Sequence, residues 1–186
     1  MKFFLLIALV LLFNACHFFE EEPEVLLSTI DGEEYYAVKT GQMNARKAAL
    51  YILDGLKDSV SFEAKLDLMD SLETQDEVWE DRYLQSFNLV LDEVYAGDNK
   101  KLVEDRVFAF LIHRPKTLLN HLNNEGFNSI DTWMEVLSNG LIKAIEPSDI
   151  TVNSVANAVI SNCKECSEKE QQLIVELIFK LEMVGN

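Results

Sequence analysis

From Asn44 onward, apolar residues return every three or four positions, the spacing of amphipathic helices. Asn44 is placed to cap a helix to about Lys57, with Ala48, Ile52 and Leu56 on one face. A shorter helix is predicted from Phe62 to Leu72, on Phe62, Leu66 and Met69. Thr74-Gln75-Asp76-Glu77 reads as a capping box. It opens a helix to about Ala96, striped by Trp79, Tyr83, Phe87, Val90, Leu91 and Val94. Gly97 ends that helix and Asp98 is placed to cap the next, marked by Val103, Val107, Phe110 and Leu111. Arg114-Pro115 stops it, because proline cannot continue a helix but can start one. A short helix from Pro115 to Asn123 follows, on Leu118, Leu119 and Leu122, and Gly126 breaks it. The next runs from about Ile130 to Lys143 on Trp133, Val136, Leu137 and Leu141, with Glu146-Pro147-Ser148 as punctuation. Val152, Val155, Ala156 and Val159 mark another. A second capping box, Ser167-Glu168-Lys169-Glu170, opens the last, on Leu173, Leu177, Ile178, Leu181 and Val184.

Each predicted helix carries a single apolar stripe, and short connections imply antiparallel neighbours. The two proline junctions lie about 32 residues apart, near the length of a helix-pair repeat. The residues around them do not match. The expected fold of residues 43–186 is therefore one all-α domain, an irregular multi-helix bundle with room for stacked helix pairs.

Upstream the pattern changes. Residues 16–42 are strongly acidic, with Glu20, Glu21, Glu22, Glu24, Glu33 and Glu34. Val25 to Ile30 and Tyr35 to Val38 flank Asp31-Gly32, a hairpin signal, since both turn residues tolerate positive φ. Alternation in the flanks is poor, so this stretch reads either as a small hairpin or as a linker.

The first residues form a third pattern. Met1-Lys2 precedes an apolar run from Phe3 to Phe13, then Asn14-Ala15-Cys16. The run is about half the roughly 20 residues a transmembrane helix needs, and it suits a secretory h-region. Residues 1–16 resemble the signal peptide of a bacterial lipoprotein. Ala15 and Cys16 fit the lipobox, while Phe13 and Asn14 depart from its commonest form. The resemblance implies cleavage after residue 15, acylation of Cys16 and a lipid anchor in the cell envelope. Two or three acyl chains hold a protein on a membrane stably. His17, rather than Asp, follows the cysteine, and by the enterobacterial sorting rule that directs a lipoprotein to the outer membrane. Ordinary secretion, with Cys16 incidental, is the rival reading.

Charge then narrows the partners. The 186-residue chain has a formal charge of −16, a poor match for nucleic acid, whose phosphates need Lys and Arg. It is equally unsuited to an electrostatic grip on anionic lipid. A basic protein partner, or solubility alone, accounts for it. With 48% hydrophobic residues the chain has material for a core, and three prolines and seven glycines favour long regular elements.

Candidate chemistry is sparse. Cys163-Lys164-Glu165-Cys166 is the one redox-capable motif. In an exported protein it reads as a disulfide locking the turn of the last helical hairpin. A thiol oxidoreductase usually places its first cysteine at a helix N-terminus. Here Cys163 falls at a C-terminus beside Glu165, which raises a thiol pKa. Haem attachment needs histidine where Ser167 stands. His113 and His121 straddle Pro115, so no helical face presents both, and zinc lacks further ligands. Asp76, Glu77, Glu80 and Asp81 suit the positive end of a helix dipole. No catalytic, metal-binding or cofactor-binding set is expected. The expected function is a non-enzymatic envelope lipoprotein whose helical domain binds a protein partner. Two alternatives are an immunity protein, whose acidic charge steers a basic toxin, and a thiol-redox protein acting through Cys163 and Cys166.

Overall fold

The computed structural model of the chain describes residues 26–30, 33–36, 43–74, 76–123, 130–147 and 149–185. Residues 1–16, on which the lipoprotein resemblance rests, and Asp31, Gly32 and Gly126 lie outside the described residues. The chain divides into two compact units, Met1–Lys39 and Thr40–Asn186.

In the first unit, β1 (Leu26–Ile30) and β2 (Glu33–Tyr36) pair antiparallel. Ile30 faces Glu33, Thr29 faces Glu34, and Ser28 faces Tyr35. The register then slips, so that Leu26 pairs with Tyr36. Within the stretch that reads as hairpin or linker, the described residues thus form a short antiparallel pair of irregular register.

The described part of the second unit is all-α. Asn44 caps α1 (Ala45–Leu53), its side-chain oxygen accepting from the Lys47 amide at 2.9 Å. This helix stops short of Lys57 because Gly55 adopts φ 80°, a left-handed conformation that glycine takes without a Cβ penalty. Gly55 N–H then donates to Ile52 and Leu56 N–H to Tyr51, which closes the end as a Schellman motif. Leu56 is consequently exposed rather than part of the stripe. A 3-10 turn (Lys57–Ser59) leads to α2 (Phe62–Ser71), capped by Ser61. Its buried face is Ala64, Lys65, Leu68 and Met69, one step round from the predicted one. Phe62 is 37% exposed, whereas Lys65 is 3% exposed and pairs with Glu93 at 2.6 Å.

The cap of α3 (Glu77–Tyr95) is Asp76, which accepts from the Val78 amide; Thr74 accepts from the Asp76 amide instead of opening a capping box. The Trp79–Val94 stripe is buried along its whole length. Then come α4 (Lys100–His113), α5 (Pro115–Leu122), α6 (Ile130–Ile145), α7 (Val152–Asn162) and α8 (Glu168–Gly185). Asn99, not Asp98, precedes α4, without a side-chain cap. In α8 the buried set is Ile174, Ile178 and Leu181, while Val184 is exposed.

These helices form an irregular multi-helix bundle with α4 at its centre, touching α2, α3, α5, α6 and α7. The C-terminal half stacks helix pairs. Along α4 and α6 the partners climb together, Lys100 with Glu135, then Glu104 with Asn139 and Lys143. Along α6 and α8, Ser138 donates to the Leu181 carbonyl and Ile142 lies against Gly185. The three helices therefore run parallel in one row, and α5 and α7, which touch each other, make the returns. The core holds Phe87, Phe110, Leu111, Leu118 and Trp133, each nearly inaccessible. Trp133 donates its indole N–H to Asn88 at 2.9 Å, so this large buried ring leaves no lone donor.

Candidate functional site

A concavity lies where the α4–α5 elbow faces the α7–α8 turn. Its origin is local. Pro115 has no N–H to give α4 and disfavours a helical conformation at the residue before it. Arg114 accordingly leaves the helical region, at φ −131° and ψ 50°, and Pro115 becomes the first residue of α5. The elbow gathers His113, Arg114, Lys116 and Thr117 onto one wall of a cleft of about 600 Å³. Asn162, Cys163, Lys164 and Glu165 supply the other wall.

The elbow is tied to the start of α3. Arg114 Nη2 donates to the Thr74 carbonyl at 2.7 Å and meets Glu80 Oε1 at 2.8 Å. Thr117 donates its hydroxyl to the same carboxylate oxygen at 3.2 Å. His113 Nδ1 lies 3.0 Å from Glu73 Oε2 on the exposed rim.

The opposite wall is a closed ring. Cys163, which ends α7, and Cys166, just before α8, are joined by a disulfide with Cα atoms 5.3 Å apart. The Cys166 amide donates to the Cys163 carbonyl inside the ring. Ser167 then starts α8 with the predicted capping box. Its amide and hydroxyl both donate to Glu170, and the Glu170 amide donates back to the Ser167 hydroxyl. The hydroxyl first, and the amide after it, hold the Glu170 carboxyl below the usual carboxylate range.

Two ties join the walls. Asn162 donates to the Ile112 carbonyl at 3.0 Å, and Lys116 Nζ donates to the Glu165 carbonyl at 3.1 Å. Lys116 also lies 3.7 Å from Glu170. The cleft thus offers both charge signs, a hydroxyl and an amide, with Pro115 and the largely buried Cys163 as apolar lining.

The structure disperses the other sequence candidates. His113 meets Glu73, while His121 lies edge-on to the Trp133 ring, centroids 6.4 Å apart. Burial pushes the His121 pKa down to about 4, with Asp81 opposing it, so His121 is a half-buried neutral ring. The acidic start of α3 splits between neighbours, Asp76 to Arg46 at 3.0 Å and Glu80 to Arg114. Asp81 accepts from Gln85. Among the described residues, no group of three His, Cys, Asp or Glu side chains is placed to hold a metal ion. Trp79, Tyr83 and Phe87 are core.

Sequence reasoning singled out Cys163 and Cys166 but not Arg114, Lys116, Thr117 or Glu80 as their company. The proline that turns the elbow is the signal for them, since it predicts a bend and hence a concave side. The chain matches no protein-family model, no curated protein and no solved structure.

Proposed function

We propose that this chain is a lipid-anchored protein of the bacterial cell envelope, in the outer membrane by the residue after its cysteine, whose helical domain binds a protein partner through the Arg114–Cys163 cleft. The anchor reading rests on the apolar run and on Ala15-Cys16. Among the described residues no helix is long and apolar enough to cross a membrane, and acylation of Cys16 supplies the attachment in this reading. The binding reading rests on the chemistry of the cleft. Small apolar ligands take predominantly apolar walls. Here Glu80, Arg114, Lys116, Asn162 and Lys164 offer donors and acceptors of both signs. That suits a polypeptide surface, whose polar rim supplies matching groups. The charge of −16 over the whole chain steers a basic partner towards it.

The test places a photo-crosslinking residue at exposed Lys164 in the full chain expressed in cells, with the same group at exposed Lys101 as control. One protein crosslinked at 164, absent at 101 and lost in Lys116→Glu, is the expected result. Equal crosslinking at both positions, or none at 164, overturns the cleft as the binding site. In parallel, Cys16→Ala moves the protein from the membrane to the soluble fraction and abolishes incorporation of labelled palmitate. Continued membrane association of that variant overturns the anchor.

A further inference from the structure

The cleft has one wall made of a covalent ring that can open. The two hydrogen bonds across the cleft originate in or beside that ring, and the longer Lys116–Glu170 ion pair at 3.7 Å reaches α8 beyond it. The Glu165 carbonyl that receives Lys116 lies inside it, and Asn162, which reaches Ile112, immediately precedes it. A third bond, from Gln171 to the Cys166 carbonyl at 3.3 Å, fixes the ring to α8. We infer that the Cys163–Cys166 disulfide is a redox latch on the cleft. Oxidised, it presents the Glu165 carbonyl to Lys116 and keeps the two walls together. Reduced, it frees the turn and takes the cleft apart while the helical core stays folded. This inference rests on the reading of the cleft as the binding site.

The ring's size argues for a latch rather than a staple. Stabilisation by a disulfide grows with the length of chain it closes, and a separation of three residues closes almost the least possible. The bundle is held by its buried stripes, none of which needs this bond. What the ring does control is local, namely the direction of the carbonyls between its sulfurs. Burial of the two cysteines is also unequal. Cys163 is 5% exposed and Cys166 is half-buried. A dithiol reductant therefore attacks the reachable Cys166 sulfur, and the S–S bond breaks with its electron pair on Cys163, which takes a proton. The second thiolate of the reductant then attacks its own sulfur in the mixed disulfide. That releases the Cys166 thiolate, which takes the second proton. Two electrons pass to the protein, and the reductant leaves as its own disulfide.

Hydrogen exchange read by mass spectrometry on the full chain tests the latch, with and without dithiothreitol, beside the Cys163→Ser/Cys166→Ser double variant. Reduction is expected to speed exchange at least fivefold at residues 112–118 and 162–171 and to leave α3 unchanged. A bond that survives excess dithiothreitol in the native protein overturns the latch. So does reduction that leaves residues 112–118 as protected as before, or one that loosens α3 equally. If the double variant fails to fold, the dithiothreitol arm on the unaltered chain still decides. The Lys164 crosslink separates this inference from the reading beneath it. A crosslink that falls at least tenfold on reduction supports the latch. One that is equal in both states overturns the latch and leaves the binding site standing. No crosslink in either state overturns the binding site, and the exchange data alone then judge the latch.

Discussion

Tyr95 donates its phenolic proton to Glu104 Oε1 across 2.8 Å, joining the end of α3 to the beginning of α4. The same carboxylate receives Asn139 of α6 at 3.1 Å, and Lys143 pairs with its second oxygen. Asn139 also donates to the Tyr95 hydroxyl at 2.8 Å. Glu104 thus binds three helices at one buried point. Replacing it by Ala leaves donors on Tyr95 and Asn139 without their acceptor, a loss of about 2–3 kcal/mol of unfolding free energy. Glu104→Gln keeps an acceptor for Tyr95 and loses roughly half as much. Urea midpoints at constant slope are the measurement, and equal midpoints for the two variants contradict this account.

Acid should weaken the fold in two separable stages. Burial alone raises the Glu104 pKa, but the hydrogen bonds from Lys143, Tyr95 and Asn139 outweigh it and hold the carboxyl below its ordinary value of 4.5. Its contribution is complete above that ordinary value and is lost as pH falls through the lowered one. His121 acts earlier. Its ring is neutral in the fold down to about pH 4, whereas the unfolded ring takes a proton near 6.5. The unfolded state therefore binds more protons between those values, and stability drops as pH falls across them. His121→Leu is expected to flatten the limb from pH 6.5 to about 4 and to leave the lower one. An unchanged upper limb in chemical denaturation at stepped pH would falsify this assignment.

The helices were legible because their stripes are local. Trp79 to Val94, Val103 to Leu111 and Trp133 to Leu141 each state their buried face within a few turns. What the stripe cannot state is a partner distant in sequence. Phe62 looks like core and Lys65 like surface, yet Glu93, 28 positions on, lets Lys65 go inside. The cleft was unreadable for the same reason. Lys116 and Glu165 are 49 positions apart, and Arg114 and Thr74 are 40. Only Pro115, which bends the chain, and the two cysteines, which close a ring, left marks in the local pattern.

Gly140 shows where a helix-breaking residue is required by packing. A Cβ there meets Phe108 Cβ at 2.6 Å and the Glu104 carbonyl oxygen at 3.0 Å. The backbones of α4 and α6 touch because that atom is absent. Alanine favours an isolated helix over glycine by about 1 kcal/mol, but overpacking a close contact costs about 1–3 kcal/mol. Backbone atoms on the α4 side cannot step aside as a side-chain tip does, so the second effect wins. Gly140→Ala is expected to lower the thermal midpoint despite its better propensity. A raised midpoint contradicts the close approach.

Lys65 and Glu93 make an ion pair whose two ends are not equivalent. The lysine side chain is 4% exposed and the glutamate 46%. Removing either partner breaks the same 2.6 Å contact, but what remains differs. Lys65→Met leaves Glu93 in water and fills the lysine's volume with an apolar chain. A buried pair replaced this way is often neutral or more stable. Glu93→Ala leaves a buried lysine with its counter-charge gone. The cost is about 2–3 kcal/mol, below the roughly 3–5 of a wholly buried pair because Glu93 is half in water. The double variant Lys65→Met/Glu93→Ala should return close to Lys65→Met alone, since no charge is then stranded. Unfolding free energies of the four proteins form a double-mutant cycle. The expected coupling is large and carried almost wholly by the Glu93 arm, and equal losses from the two single variants contradict the burial of Lys65.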